Sequence, residues 1–315
     1  MDTHYKTLNS IQTQLLTWGD PFDTEEQDVI VCVTGNPGVP DFYIEFASQL
    51  HLSTGLPVCV VGHAGHIEVP DEKSNVLKNQ EKLFNLEGQL QHKLDLINNC
   101  IYKKRKLHLI GHSIGAWMLA ELTQKNEDLI GRIASVQFLF PTVQRMAESK
   151  NGKFLNVTVR KFHKIVMLFY LVIDLLPQLV KSSLISLYLK INSLPPHYSK
   201  RILKYIKPTV NEKVLFLAYD EMDTVKTLNT SAIDKIKHLT NVIYGSKDGW
   251  APVSYMEDFK IFQPSLKMKE VNIRHAFVLK SAEPVAELVS DFVKSKYINR
   301  YSCDKCLDLH DHCHE

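Results

Sequence analysis

The segment Lys106–Ala116, KLHLIGHSIGA, constrains this chain more than any other. An apolar run with strand character, Leu107, Leu109 and Ile110, stops at Gly111-His112-Ser113-Ile114-Gly115. It gives way to Ala116, Leu119, Ala120 and Leu122, which suit a packed helix. This is the G-x-S-x-G pattern of a nucleophile elbow, a tight strand-to-helix turn that exposes a serine hydroxyl. The glycines suit it because backbone approaches backbone in such a turn, and a side chain at either would crowd it.

An elbow serine makes demands on the rest of the chain. Its hydroxyl is a poor nucleophile until a histidine takes its proton, and that histidine needs a carboxylate to orient it. In such proteins the partners follow in the order serine, acid, histidine. His275, in Val271–Leu279 (VNIRHAFVL), stands where a short apolar run ends and another begins. Its rivals His310, His312 and His314 sit in a polar tail. For the acid, Asn241–Gly249 (NVIYGSKDG) reads as a short strand and a turn carrying Asp248, 27 residues before His275. Asp220 and Asp223 are rivals, but YDEMDTV reads better as a solvated helix. The sequence therefore favours Ser113, Asp248 and His275 as the catalytic set.

Acyl transfer also needs two backbone N–H groups aimed at the developing oxyanion. One is expected from Ile114, after the nucleophile. The other is expected from the loop after Val29–Val33, which reads Thr34-Gly35-Asn36-Pro37-Gly38. Pro37 has no N–H, which leaves Asn36 as the preferred donor.

Strands and helical patterns alternate from Val29 onward. Val29–Val33, Pro57–Val61, the elbow strand and Ser135–Phe140 read as strands, with helical stripes at Phe42–Leu52 and Leu86–Ile97. That rhythm predicts an α/β fold with a mostly parallel sheet covered on both faces. The core is expected to span 1–141 and 209–298, interrupted by an insertion over 142–208 and followed by a tail, 299–315, expected to be disordered.

The insertion is distinct in charge and in hydropathy. Residues 150–211 hold eleven Lys or Arg and one acid, Asp174, a local charge of +10 in a chain whose net charge is +2. Within it lies Ile165–Val180, IVMLFYLVIDLLPQLV, sixteen residues bracketed by Lys161, Lys164, Lys181 and Lys190. It falls short of the roughly 20 apolar residues that span a bilayer. Apolar residues flanked by cations suit a lipid interface, so 155–190 is expected to contact a membrane or other lipid surface. A cap packed over the active site is the alternative, and the two are compatible.

Other features restrict the reading further. The small net charge gives no reason to expect nucleic acid as a partner. Cys32, Cys59 and Cys100 fall in or beside apolar segments and suit buried free thiols in a reducing compartment. MDTHYKTLNSIQ is polar and mixed, so a cleaved secretory signal is not expected. Cys303, Cys306, His310, His312, Cys313 and His314 have metal-compatible chemistry, but they are crowded into a dozen residues. Lys103–Lys106 (KKRK) reads as a solvated loop.

Seven segments in this order resemble the lipid droplet-associated hydrolases, a family of α/β-hydrolases. They are GNPG with FYIEFA (Gly35–Gly38, Phe42–Ala47), HAGH (His63–His66), LEGQLQHKL (Leu86–Leu94), LIGHSIGA (Leu109–Ala116), LFPTVQRMAESKNGK (Leu139–Lys153), YGSKDGWAP (Tyr244–Pro252) and HAFVL (His275–Leu279). The resemblance implies an α/β-hydrolase fold with an inserted helical cap and the triad Ser113, Asp248 and His275. It implies a serine hydrolase needing no cofactor, acting on lipid esters such as cholesteryl esters. It also implies residence on lipid droplets and the cytosolic face of the endoplasmic reticulum. Thr34 departs from the family, which often has proline before the glycine. Two other readings stay open: a droplet-surface interaction protein with little turnover, and a soluble esterase or thioesterase for small acyl groups. Substrate identity and oligomeric state are not legible in the sequence.

Overall fold

A computed structural model of the protein describes residues 1–24, 27–70 and 75–308, with side chains as far as Tyr297. Its centre is an eight-stranded sheet: β1 (Asp2–Leu8), β2 (Ile11–Trp18), β3 (Val29–Val33), β4 (Val58–Val61), β5 (Leu107–His112), β6 (Ile133–Leu139), β7 (Thr240–Gly245) and β8 (Lys267–Val271). The spatial order is β1-β2-β4-β3-β5-β6-β7-β8. β2 is antiparallel to both its neighbours, and every pair from β4 to β8 is parallel.

The main helices are α1 (Ile44–Thr54), α2 (Leu86–Asp95), α3 (Ile114–Lys125), α4 (His163–Leu175), α5 (Gln178–Ile191), α6 (Tyr198–Tyr205), α7 (Pro208–Thr224), α8 (Thr230–Ile236) and α9 (Ala282–Asp308). Alternation along the strands creates two cores. Val31, Val33, Leu109, Val136, Phe138 and Val242 pack with α2, α3 and α8 through Leu90, Met118, Leu119 and Ile233. Their strand neighbours Ile30, Cys32, Val60, Ile110 and Ile243 pack on the other face with Phe46 and Leu50 of α1 and Val285 and Val289 of α9. Burial of both faces is why β3 reads as a continuous apolar run, and β5 and β6 are buried as fully with His108, Ser135 and Gln137 within them.

The α/β architecture agrees with the sequence reading, and four details differ from it. The polar N-terminal stretch forms the β1–β2 hairpin, whose Asn9-Ser10 loop takes left-handed backbone at both residues, φ 46 and 68. That is the two-residue turn whose twist suits paired strands. Arg105, in the run expected to be solvated, is fully buried. It donates to the carbonyls of Gln27 and Asp20 and pairs with Asp23. The helix around Phe42 opens as a tighter turn at Pro40–Tyr43. Finally, α9 continues to Asp308, through the first part of the tail expected to be disordered. No glycine or proline interrupts 299–308, so nothing there breaks a helix. His310, His312, Cys313 and His314 lie outside the described residues.

Between β6 and β7 the chain leaves the sheet to build α4–α8. The most apolar segment breaks at Pro177, where α4 and α5 meet at a bend of 119°. Among the described residues no single helix is long and apolar enough to cross a membrane, although that bent pair qualifies together by length and composition. Leu168, Phe169, Leu171, Val172, Leu184 and Leu187 are each at least half exposed, and Leu175 and Leu179 beside the bend reach 85% and 82%. α7 begins with Pro208 at its first turn, a position that tolerates the missing N–H. Arg160 donates twice to Asp223, at 2.8 and 2.7 Å, and ties the insertion to that helix.

Candidate active site

Ser113 stands between β5 and α3 with φ 54 and ψ −121, backbone that a side chain rarely adopts. Such strain costs about 1–3 kcal/mol and persists where surrounding contacts over-determine it. The flanking glycines allow it. A Cβ on Gly111 would stand 2.6 Å from the Gly115 carbonyl, and one on Gly115 would stand 2.6 Å from the Val33 carbonyl. The Ser113 amide donates to the Leu139 carbonyl, and the Thr142 amide donates to the Ser113 carbonyl, so the chain just after β6 also grips the turn.

The structure brings the three predicted side chains together across the C-terminal ends of the strands. Ser113 Oγ donates to His275 Nε2 at 2.9 Å, and His275 Nδ1 donates to Asp248 Oδ2 at 2.7 Å. The amides of Trp250 and Ala251 donate to the other carboxylate oxygen, at 2.8 and 3.1 Å. Burial pushes the Asp248 carboxyl up, but His275 and the two amides outweigh it and hold the group below its ordinary value. An anionic Asp248 fixes the tautomer in which Nε2 is free to accept from the serine. Rings of Trp250 and Phe140 lie 6.3 Å from that of His275. The rival Asp223 is exposed and paired with Arg160. Asp220 caps α2 by accepting from the Leu86 amide. His310, His312 and His314 lie outside the described residues.

The loop after β3 lies against the elbow: a Cβ on Gly35 would stand 3.0 Å from Ser113 Cβ. Its amides can be accounted for one by one. Gly35 N–H donates to Tyr43 Oη at 2.8 Å, and Gly38 N–H donates to His66 Nδ1 at 2.9 Å. Pro37 has none, which leaves Asn36. The Asn36 carboxamide donates to Glu221 Oε1 at 2.9 Å and to the Val214 carbonyl at 3.2 Å, both on α7. Burial raises the Glu221 carboxyl to about 8. Ile114 opens α3, so its amide belongs to the first turn, whose N–H groups lack intrahelical partners.

Sequence reasoning missed Tyr43, His66, His112 and Glu221. His66 and His112 fell inside segments already singled out, but their roles depend on partners 28 and 69 residues away.

The sequence profile of the family described as lipid-droplet associated hydrolase matches residues 26–278. The chain belongs to that family. It is 40% identical over 303 residues to a lipid droplet-associated hydrolase of Drosophila melanogaster, covering 93% of this chain and 98% of the relative. A Homo sapiens protein of the same name is 30% identical over 302 residues, covering 90% of this chain and 92% of its own. Among solved structures, the thioesterase domain from the curacin biosynthetic pathway superposes with a TM-score of 0.61. That match has 17% identity and covers 92% of this chain and 99% of the domain. At that identity the likeness concerns the fold alone, the α/β-hydrolase fold. Within the family's matched span lie all five residues that the sequence singles out for catalysis.

Proposed function

We propose that this hydrolase is a serine carboxylic-ester hydrolase acting on neutral-lipid esters, cholesteryl esters among them, at the lipid-droplet surface and the cytosolic face of the endoplasmic reticulum. The observation that carries the reading is the unbroken hydrogen-bond chain Ser113–His275–Asp248 on a strained elbow. Ser113 Oγ attacks the ester carbonyl while its proton passes to His275 Nε2. Asp248 stabilises the imidazolium that forms. The amides of Ile114 and Asn36 hold the oxyanion, and removing one such donor typically costs about 3 kcal/mol of transition-state stabilisation. Collapse of the tetrahedral intermediate expels the alcohol, which takes the proton from His275. Water then clears the acyl-enzyme by the same steps, and no cofactor takes part.

The lipid-facing part of the reading rests on the insertion, which we assign to 142–208. Its exposed leucines and phenylalanines form an apolar surface of a kind that water-soluble monomers rarely leave uncovered. Cations flank that surface, where each can add about 1 kcal/mol against anionic lipid. Contact through 155–190 would bring the enzyme to insoluble substrate.

A fluorophosphonate probe tests the catalytic half. The purified wild type should be labelled stoichiometrically and Ser113→Ala should not; folded wild type that stays unlabelled would sink the proposal. The extent of the apolar surface also favours a second reading, a droplet-surface interaction protein with low turnover. That reading wins if Ser113→Ala matches the wild type in every cellular lipid phenotype while deletion of 155–190 abolishes it.

A further inference from the structure

Three hydrogen bonds, two buried and the third part-buried, join the oxyanion loop to the backbone of the histidine base, through two side chains the proposed reaction does not use. Gly35 N–H meets Tyr43 Oη at 2.8 Å, Tyr43 Oη meets His112 Nδ1 at 2.6 Å, and His112 Nε2 meets the His275 carbonyl at 3.0 Å. The four residues come from the loop after β3, the turn before α1, the elbow and the loop after β8. Tyr43 and His112 are buried, and the Phe277 ring packs 5.0 Å from the His112 ring and 6.4 Å from that of Tyr43.

The end groups fix the direction of every proton between them. An amide N–H can only donate and a carbonyl can only accept. The Tyr43 oxygen therefore accepts from Gly35 and spends its own hydrogen on His112 Nδ1. His112 Nε2–H is left to donate to His275. A neutral imidazole has one donor and one acceptor, so the chain closes with none unmatched. Burial holds His112 neutral, lowering its pKa to about 3.

We infer that Tyr43 and His112 are positioning residues that lock the oxyanion loop and the proton-transferring histidine into one geometry. The inference rests on the proposed role of Ser113. With the Gly35 amide spent on Tyr43, the loop cannot rotate to offer it, and the Asn36 amide keeps its aim. With the His275 carbonyl held, the imidazole stays within reach of Ser113 Oγ. Errors of about 1 Å in such placements can cost about 100-fold in rate. The His112 ring lies 5.2 Å from that of His275, but His275 Nε2 and Nδ1 bond to Ser113 and Asp248, so neither Tyr43 nor His112 moves a proton in the reaction.

The test uses the full chain, a soluble short-chain p-nitrophenyl ester and active-site counting by fluorophosphonate. Tyr43→Phe keeps the ring and removes one hydroxyl; His112→Phe keeps a ring and removes both nitrogens. Each should lower kcat per labelled site about 10- to 100-fold while KM stays within about threefold, the signature of misplaced groups rather than weaker binding. The double variant should fall no further than the worse single by more than about threefold, because both break one chain. A kcat per labelled site within about twofold of wild type in both singles would overturn the inference, whatever the loss in melting temperature. Nitrogen-15 NMR of the wild type reads the relay without any substitution. His112 should be the neutral Nε2–H tautomer at pH 7, and an imidazolium or an Nδ1–H form would equally overturn it. Wild type that neither labels nor hydrolyses the ester defeats the Ser113 reading instead, and the NMR result still decides whether the relay exists.

Discussion

β5 and the α4–α5 pair are both rich in leucine and isoleucine, yet they meet opposite environments. Leu107, Leu109 and Ile110 are fully buried between two helical layers, whereas Leu168, Leu175, Leu179 and Leu187 stand largely open. Hydrophobic content alone does not separate them. What differs is the supply of partners: the strand has neighbours on both sides and both faces, while the bent helices run out of protein to pack against. Burying one such leucine side chain is worth about 1.5–3 kcal/mol. The twelve large apolar side chains that α4 and α5 leave exposed, six of them leucines, amount to a large unspent driving force, and a lipid surface would use it. On the proposed function the molecule would meet two solvents, with the serine in the half made for protein packing.

The sharpest way to break this contrast is catalytic. Ser113→Ala should lower ester hydrolysis by about 10⁴-fold or more. Its binding to phosphatidylcholine–phosphatidylserine vesicles should match wild type in a flotation assay. Joint loss of both would show that the two halves are not separable. Next in size, replacing Leu168, Phe169, Leu175 and Leu179 together by serine should cut vesicle partitioning by about 100-fold or more, from roughly 0.8 kcal/mol for each methylene-sized group no longer buried. Hydrolysis of a soluble ester should persist in that variant, and its failure there would make the helices part of the catalytic scaffold. Leu109→Ala against Leu175→Ala sets the same chemistry in the two environments. The first should cost about 2–5 kcal/mol in urea denaturation. The second, at 85% exposure, should stay within about 0.5 kcal/mol of wild type.

Acid should act on the protein-packed half. Burial lowers the pKa of His63, His66, His92 and His112. Below about pH 6.5 an unfolded chain takes up protons that the folded chain refuses, so stability falls as pH drops from there toward the folded value of about 3 for His112. Each histidine contributes about 1.4 kcal/mol per pH unit inside its window. Glu221, raised to about 8, acts with the opposite sign above its unfolded value and offsets one of the four. A urea midpoint that does not move between pH 6.5 and 5 would contradict this account. A small effect is expected as well where 142–208 meets α7. Arg160→Ala removes an exposed ion pair with Asp223 and should cost no more than about 1 kcal/mol.

How legible all this was in the sequence depended on how local the signal is. Val29–Val33, the elbow and the turn carrying Asp248 stand out because strand, glycine and polar residue follow within a few positions, and His275 stands out because it parts two short apolar runs. β1 and β2 did not stand out. The hairpin carries charge at a sheet edge, and its turn is Asn-Ser rather than the stronger Asn-Gly. β8, KMKEV, escaped for the same reason, being an edge strand with three charged residues. Arg105 looks solvated beside three lysines, and only the carbonyls of Gln27 and Asp20 explain its burial. Tyr43 and His112 carry no local mark, because what they do is written in distances between loops rather than in spacing along the chain. The exposed helices were legible in composition, since cations bracket an apolar run that a bend at Pro177 cuts in two.

The two rims of the sheet have one more consequence. Among the described residues, β1 and β8 each have a row of backbone groups that no further strand pairs, and each is studded with charge: Asp2 and Lys6 on one, Lys267, Lys269 and Glu270 on the other. Proteins gathered on a droplet meet at far higher effective density than in the cytosol, with their outlines confined to a plane. Bare rims would let such neighbours zip into ribbons. Lysine-bearing ones would keep crowded copies apart, so that on the proposed droplet surface a coat of this protein would not turn into fibre.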